Sequence, residues 1–124
     1  MVALLSLGHA EAQLSGTAQF TATVVGQLVL DIGPRGKGLG DASITRWRLT
    51  DRQGHTLGFG HQFCRWTTST ARACYGTYVL PDGQIQFQGV VGNGGPLAVT
   101  GGTGLYVGAK GQLKRSGKTV RVTL

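Results

Sequence analysis

Cysteine, histidine and acidic residues are the side chains of this 124-residue chain that could supply catalytic or metal chemistry. Its three histidines, His9, His55 and His61, do not form a metal set, because such a site needs three or four converging ligands. The sequence contains no Gly-x-Ser-x-Gly elbow and no pair of carboxylates that the predicted strands would bring together. We therefore expect no metal site, and no catalytic triad is predicted.

Cys64 and Cys74 are the two cysteines, and their role is open from the sequence alone. If they face each other on neighbouring strands, a disulfide is feasible, since Cβ atoms in such pairs lie ~4–5 Å apart. The alternative is a pair of buried thiols that pack as small apolar groups. A reactive thiolate is the least favoured state, because no histidine shares their predicted face.

A second group of side chains could bind an apolar molecule. Its candidates are Trp47, Gln62, Cys64, Trp66, Tyr78 and Phe87. These residues either pack a solid core or line a cavity that holds a flexible substrate with its reacting ends together, which lowers a barrier without a dedicated acid or base. Gln62 and Tyr78 could orient a carbonyl group, and Arg46 or Arg48 at the rim could bind a substrate carboxylate.

Eight β-rich segments separated by short breaks must position these residues. They are 19–32, 42–50, 56–66, 72–80, 84–91, 97–100, 108–114 and 119–124. No stretch of ten residues has a helical period. Eight strands joined by short links predict an all-β fold, a single eight-stranded antiparallel β-barrel, because closure removes exposed strand edges.

Turn sequences predict the pairing of three central strands. Asp82-Gly83 is suited to a two-residue hairpin, which would pair Tyr78 with Phe87. A five-residue loop at 67–71 would set Cys64 opposite Cys74. The face that carries these residues also carries several glycines and is expected to point inward. Leu57, Phe59 and Phe63 are then expected on the outer face, where an apolar patch favours a subunit interface.

Composition narrows the class of protein. Twenty-two glycines and only three prolines, with 40% hydrophobic residues, favour tight turns in a folded chain rather than disorder. The net charge of +7 comes from scattered basic residues without a nucleic-acid motif, so we expect a basic surface and no nucleic-acid partner. The chain has no apolar stretch of transmembrane length.

The first residues of the chain have two interpretations. Residues 1–17 form an apolar N-terminal segment that could be a signal-peptide remnant, with Ala10-Glu11-Ala12 resembling a cleavage site, and residues 18–124 form the barrel. Secretion is expected if an upstream signal sequence was lost. A cytoplasmic protein is expected if Met1 is the true start.

Residues 39–114 resemble the allene oxide cyclase and dirigent-like barrel family, in a bacterial-type form. The resemblance is carried by Gly40-Asp41, by Gly83–Gly89 (GQIQFQG) and above all by Leu97–Gly111 (LAVTGGTGLYVGAKG). It implies a barrel with a hydrophobic cavity, no metal or organic cofactor, and a homo-oligomer, either a trimer as in relatives or a dimer. Cys64 matches a cavity cysteine of the plant cyclases, whereas Trp47 and Val91 stand where those enzymes carry asparagine and tyrosine.

Two functions follow from these observations. The first is a cofactor-free cyclase or isomerase that binds and folds a small hydrophobic metabolite, such as an unsaturated lipid or a polyketide-like compound. The second is a non-catalytic dirigent-type or ligand-binding barrel, in a secreted form. An interior cavity of ~300–1,000 Å³ would favour either function over a purely structural protein.

Overall fold

The computed structural model describes residues 16–32, 39–92 and 94–124. Its strands are β1 (Thr17–Leu30), β2 (Ala42–Thr50), β3 (Thr56–Trp66), β4 (Arg72–Leu80), β5 (Gly83–Val91), β6 (Leu97–Gly102), β7 (Gly111–Ser116) and β8 (Thr119–Thr123). Each strand pairs antiparallel with its neighbour in sequence, and β8 returns to β1. The predicted eight-stranded barrel is therefore confirmed. The predicted N-terminal segment lies outside the described residues, except at its last two positions.

Alternation of buried and exposed side chains along the strands builds the core. In β8, Val120 and Val122 are buried while Thr119, Arg121 and Thr123 are exposed. The same period of two places polar residues outside and apolar residues inside the barrel. No helix within the described residues has the length and apolar character that a membrane span requires.

The pairing of β3 with β4 agrees with the prediction, whereas that of β4 with β5 differs from it by two residues. Cys64 faces Cys74, but Tyr78 pairs with Ile85 instead of Phe87. The turn is Pro81-Asp82 rather than Asp82-Gly83, and neither residue has a positive φ, so it is not the expected Asp-Gly turn. A shift of two residues leaves every side chain on its predicted face.

The position of the turn follows from Gly83, which is the first residue of β5 rather than part of the turn. Its φ is +149°, and a Cβ atom there would overlap the Thr103 carbonyl oxygen and lie 3.0 Å from the Tyr106 ring. The hydroxyl of Tyr106 donates a hydrogen bond to Asp82 Oδ1 at 2.8 Å. The segment after β6 therefore packs directly against the β4–β5 turn.

Leu57 does not belong to the outer apolar patch in which it was predicted. Leu49 pairs with Gly58 while Thr50 pairs with Thr56, so Leu57 occupies a β-bulge. A bulge leaves one residue without a partner and redirects its side chain. Leu57 is half-buried and packs against the core, whereas Phe59 remains on the outer face.

The two ends of the barrel differ. Strand β8 pairs with β1 only over Thr17–Thr21, and one further hydrogen bond joins Ala22 N to the Lys118 carbonyl. Beyond that point β1 pairs only with β2 among the described strands. We call this end, where β1, β3, β5 and β7 finish and β2 and β4 begin, the mouth. The opposite end is covered by the short 3-10 helix Gly104–Tyr106 and is called the closed end.

Candidate functional site

A cavity of about 390 Å³ opens at the mouth, within the ~300–1,000 Å³ typical of ligand sites. We call it the mouth cavity; it is lined by Gln27, Val29, Asp31, Asp41, Ser43, Trp66 and Arg72. These residues come from β1, from the start of β2, and from the ends of β3 and β4 that meet at the 67–71 loop. The site is therefore assembled from four elements of the barrel rim.

An irregularity in β1 brings three of these side chains to the cavity. Ala18, Phe20 and Ala22 are buried at even positions, but the register shifts between Val24 and Gly26. After the shift Gln27 pairs with Thr45, which has a buried side chain, so the odd positions of β1 share the inner face. The sequence alternation of β1 alone does not reveal this change.

Below the mouth cavity the barrel is filled by aromatic side chains. The Tyr78 ring stacks on Phe87 with centroids 4.9 Å apart, meets Phe20 edge-on at 5.1 Å, and lies 5.8 Å from Trp47. Tyr78 and Phe87 are fully buried, and Trp47 is buried as well. These three predicted cavity residues therefore pack against one another and form an aromatic floor beneath the mouth.

Glycines make room for this floor. A Cβ atom at Gly60 would lie 2.7 Å from Tyr78 Cδ1, and one at Gly76 would lie 2.5 Å from Phe87 Cζ. Contacts this short require the rings to move. The glycines on the inner face of β3 and β4 thus serve to seat the two rings.

Arg115 is the functional candidate that the sequence reasoning missed. Its Nη2 donates a hydrogen bond to Gln62 Oε1 at 2.6 Å, and its guanidinium carbon lies 5.2 Å from the Trp47 ring and 5.4 Å from the Phe87 ring. These are cation–π distances. Side chains alternate between the two faces of β7, so Arg115 lies on the same face as buried Leu113. This alternation is the sequence signal that could have identified Arg115 as inward-facing, unlike the basic residues around it.

Arg115 also influences the Tyr78 hydroxyl. Burial raises the pKa of Tyr78 to about 12, and the nearby positive charge of Arg115 partly opposes that rise. The hydroxyl is therefore protonated at neutral pH. Its oxygen makes no hydrogen bond within the described residues by distance and angle, because the guanidinium of Arg115 is directed to Gln62.

Arg72 is the second cation at the mouth. Its guanidinium carbon lies 5.2 Å from the Trp66 ring centroid. Partial burial lowers the pKa of Arg72, and repulsion from Arg115 lowers it further. Among the described residues, neither guanidinium forms an ion pair with a carboxylate.

The acidic side of the mouth cavity has a different arrangement. Asp41 is buried and accepts a hydrogen bond from the Ile32 N–H at 3.0 Å, which ties the end of β1 to the start of β2. Asp31 lines the cavity beside it. The charged groups that line the cavity are therefore the carboxylates of Asp31 and Asp41 on one side and the guanidinium group of Arg72, from β4, on the other.

Cys64 and Cys74 form a disulfide in the structure, with their Cα atoms 4.1 Å apart. Both sulfur-bearing side chains are buried on the inner face, and Cys64 pairs with Ser43, which lines the mouth cavity. Neither sulfur is therefore a thiol that could attack a substrate. The bond instead ties together the two strands that carry Trp66 and Arg72.

Arg46 and Arg48 lie outside the mouth. They flank buried Trp47 in β2, and both are exposed on the outer face of the barrel. His61 is also exposed, and His55 is occupied in a turn, where its N–H donates to Asp51 Oδ1 at 2.9 Å. Within residues 16–32, 39–92 and 94–124 no group of three histidine, cysteine or acidic residues could hold a metal.

A second concavity, of about 610 Å³, lies on the outer surface of the sheet rather than in the mouth. Phe63 and Tyr75 line it with ring centroids 5.6 Å apart, and Val90 lies on the same face. Phe59 and Tyr75 are more than half exposed, at 55% and 61%. The predicted homo-oligomer, with this surface as its interface, stays a prediction.

The glycine-rich segment after β6 lies at the closed end, far from the mouth along the strands. Gly101 and Gly102 finish β6, and Gly104–Tyr106 forms the short helix. The Leu105 N–H donates to the Asp82 carbonyl, which fastens the segment to the β4–β5 turn. The segment is a tight connection at the barrel rim, and the helix that it leads into has only three residues, Gly104–Tyr106.

These observations define the class of protein: a small closed barrel of eight antiparallel strands with a ligand-sized cavity at one end. A solved structure of a pyocyanin demethylase is similar to it, with a TM-score of 0.79 and 26% sequence identity over 87% of this chain and 98% of that chain. A nonspecific heme-binding cyclase that catalyses a [4 + 2] cycloaddition in neoabyssomicin biosynthesis has a TM-score of 0.62 and 19% identity over 88% of this chain.

The second comparison covers 64% of the cyclase chain and indicates a common fold. No protein-family model and no curated protein sequence matches the chain. The comparisons therefore support the barrel fold that the family resemblance implied. Membership in the allene oxide cyclase family itself stays an interpretation of the glycine-rich motif.

Proposed function

We propose that this protein binds a small, conjugated, hydrophobic metabolite in the mouth cavity and converts it there by cyclisation or isomerisation without a cofactor. The observation that carries the proposal is the cavity of about 390 Å³ beside Trp66, with Arg115 held over the aromatic floor below it. Aromatic walls favour a flat, delocalised guest. The similarity to a pyocyanin demethylase along almost the full length of both chains supports a role in small-molecule chemistry.

The residues of the mouth would act through positioning and charge. Trp66 would restrict the orientation of a bound ring. Because orientational freedom is then lost on binding, less of it has to be lost in the reaction step and the barrier is lower. Arg72, which lines the cavity, would stabilise negative charge that develops on a carbonyl or enolate oxygen.

A non-catalytic binding barrel is the second candidate function. The observation in its favour is the disulfide between Cys64 and Cys74, which leaves no thiol nucleophile among the described residues. In this case the same cavity would hold a ligand without changing it.

Intrinsic tryptophan fluorescence can test both functions, because one of the two tryptophans of the chain, Trp66, lines the cavity and the other, Trp47, belongs to the aromatic floor. Pyocyanin and a panel of conjugated ring compounds would be titrated into the wild type, and the mixtures would be followed by liquid chromatography and mass spectrometry. We expect saturable quenching in the wild type. In Trp66→Ala the affinity, measured through the remaining tryptophan, should fall about tenfold or more, because the substitution removes the cavity wall. Tyr75→Phe on the outer face is the matched control and should leave binding unchanged.

The product analysis separates the two candidates. A new product of equal mass supports the cyclase or isomerase, and loss of one CH₂ unit from pyocyanin would indicate demethylation instead. Binding with no product supports the non-catalytic barrel. Equal quenching in the wild type and in Trp66→Ala would contradict a site in the mouth.

A further inference from the structure

Strand β1 extends well past the strand that pairs with it on one side. Strand β8 pairs with β1 only over Thr17–Thr21, with one more hydrogen bond at Ala22, whereas β2 pairs with β1 as far as Leu30. Among the described strands, Thr23–Leu30 is therefore paired on one side only, and we call this stretch the β1 edge. A strand edge presents backbone N–H and C=O groups with which another strand can pair.

The side chains of the β1 edge are apolar on both faces of the sheet. Five of them are between 39% and 63% exposed: Val24, Val25, Leu28, Val29 and Leu30. Leu28 pairs with Ile44 on the outer face, whereas Val29 pairs with buried Ser43 and lines the mouth cavity. Contiguous exposed apolar residues of this kind mark an interaction surface.

The β1 edge also lacks the side chains that usually prevent pairing between sheet edges. Its sequence, TVVGQLVL, contains no charged residue and no proline, which are the common protections of an exposed edge. The one irregularity lies between Val24 and Gly26, so the register is continuous over Gly26–Leu30. These last residues of the strand are therefore regular enough to accept a further strand.

The absence of charge on the β1 edge favours a second copy of this chain as its partner. The chain has a net charge of +7, so two copies repel each other wherever basic side chains meet. An acidic partner would be recognised by basic side chains, and this stretch has none. An uncharged strand can instead pair antiparallel with an identical strand about a two-fold axis, because each copy then supplies the same groups.

The described ends of the barrel leave the β1 edge uncovered. Gly16 and Leu124 are hydrogen-bonded to each other at the closed end. Seven residues separate Gly16 from Thr23, which is ~23 Å along an extended strand. The edge therefore lies away from both of these positions and beside the open mouth.

We propose that two copies of this protein form a two-fold dimer by antiparallel pairing of their β1 edges, centred near Leu28. The sheet of one barrel then continues into the sheet of the other, and the exposed valines and leucines are covered. Gln27 and Val29 belong to this stretch and also line the mouth cavity, so the partner strand closes the side of the mouth next to β1. The dimer does not depend on which molecule the cavity binds.

Sedimentation equilibrium over about a hundredfold range of micromolar concentrations tests the dimer. The wild type should reach about 26 kDa, twice the 13.0 kDa of one chain. Leu28→Lys and Val25→Lys each place a charge opposite or near its own copy and should raise the dissociation constant about 100-fold or more. Both side chains are more than half exposed, so we expect folded variants, and thermal unfolding checks this.

Tyr75→Lys is the matched control, because it adds the same charge at a 61% exposed site on the outer face. It should leave the dimer unchanged. Loss of the dimer in Tyr75→Lys but not in the edge variants would place the interface on the outer face and overturn the inference. A wild type that stays at 13.0 kDa, or that forms a trimer, would also overturn it.

Hydrogen exchange of the full chain distinguishes a second copy from a segment of the same chain. The backbone amides of Thr23–Leu30 should exchange more slowly as the protein concentration rises, in step with the mass. Equal protection of these amides at all concentrations in a monomer would mean that residues of the same chain, such as 1–15, cover the edge. None of these measurements involves a ligand, so failure of the dimer leaves the proposed function to its own test.

Discussion

Removal of the Tyr78 hydroxyl is predicted to leave the barrel at least as stable at neutral pH. The ring is fully buried and packs against Phe20, Trp47 and Phe87, contacts that Tyr78→Phe retains. The hydroxyl itself has no hydrogen-bond partner within the described residues. Relief of a buried unsatisfied group should therefore stabilise the folded state by 0 to about 1 kcal/mol.

The same substitution should change the response to alkaline pH. The folded protein holds the Tyr78 proton more tightly than the unfolded chain, because burial raises its pKa from 10 to about 12. The resulting stabilisation is fully present below pH 10 and is lost as the pH rises from 10 to about 12. It amounts to about 3 kcal/mol for a shift of this size, and Tyr78→Phe should lack this loss.

Urea unfolding followed by far-ultraviolet circular dichroism, at pH 7 and at intervals up to pH 12, measures both effects. The wild type and Tyr78→Phe should have similar unfolding free energies at pH 7 and should diverge above pH 10. A loss of more than about 1 kcal/mol in the variant at pH 7 would show that the hydroxyl makes a stabilising hydrogen bond. Parallel curves up to pH 12 would refute the pKa argument.

Four further variants test the packing of the barrel by the same unfolding measurement. Tyr106→Phe should destabilise by about 1–2 kcal/mol, because it removes a hydrogen bond to a carboxylate; an unchanged stability would contradict that. Gly60→Ala should cost about 1–3 kcal/mol by displacing an aromatic ring, whereas Gly101→Ala, where a Cβ meets no atom closer than 3.5 Å, should stay within about 0.5 kcal/mol of wild type. Replacing Cys64 and Cys74 with serine should cost about 2–3 kcal/mol, from the ten-residue separation, and dithiothreitol should then destabilise only the wild type.

The fold was accessible from the sequence because each strand carries its own period-two pattern between recognisable breaks. The β4–β5 turn lies one residue earlier than predicted, which changes the pairing register by two residues, since the tertiary contact between Gly83 and the segment after β6 decides the turn. That contact joins residues about twenty positions apart and has no local signature. The residues predicted on the inner face still point inward, because the register differs by an even number of residues.

The site was predicted less completely, for two physical reasons. The bulge in β1 changes which residues face inward, and a single sequence does not show a bulge in a run of valines and leucines. Arg115 was assigned to the basic surface by its charge, although aromatic faces and the Gln62 amide hold it inside. Aromatic residues of the floor were named correctly as inward-facing, but their mutual packing depends on ring geometry that the sequence does not contain.

The central claim is that the ligand site is the mouth cavity and not the larger groove on the outer face. Amide and side-chain NMR shifts during titration with pyocyanin, or with the tightest-binding conjugated ring compound of the panel, distinguish the two places directly. We predict shift changes at Ser43, Trp66 and Arg72, with none at Phe63 or Tyr75. Changes confined to Phe63 and Tyr75 would contradict the account.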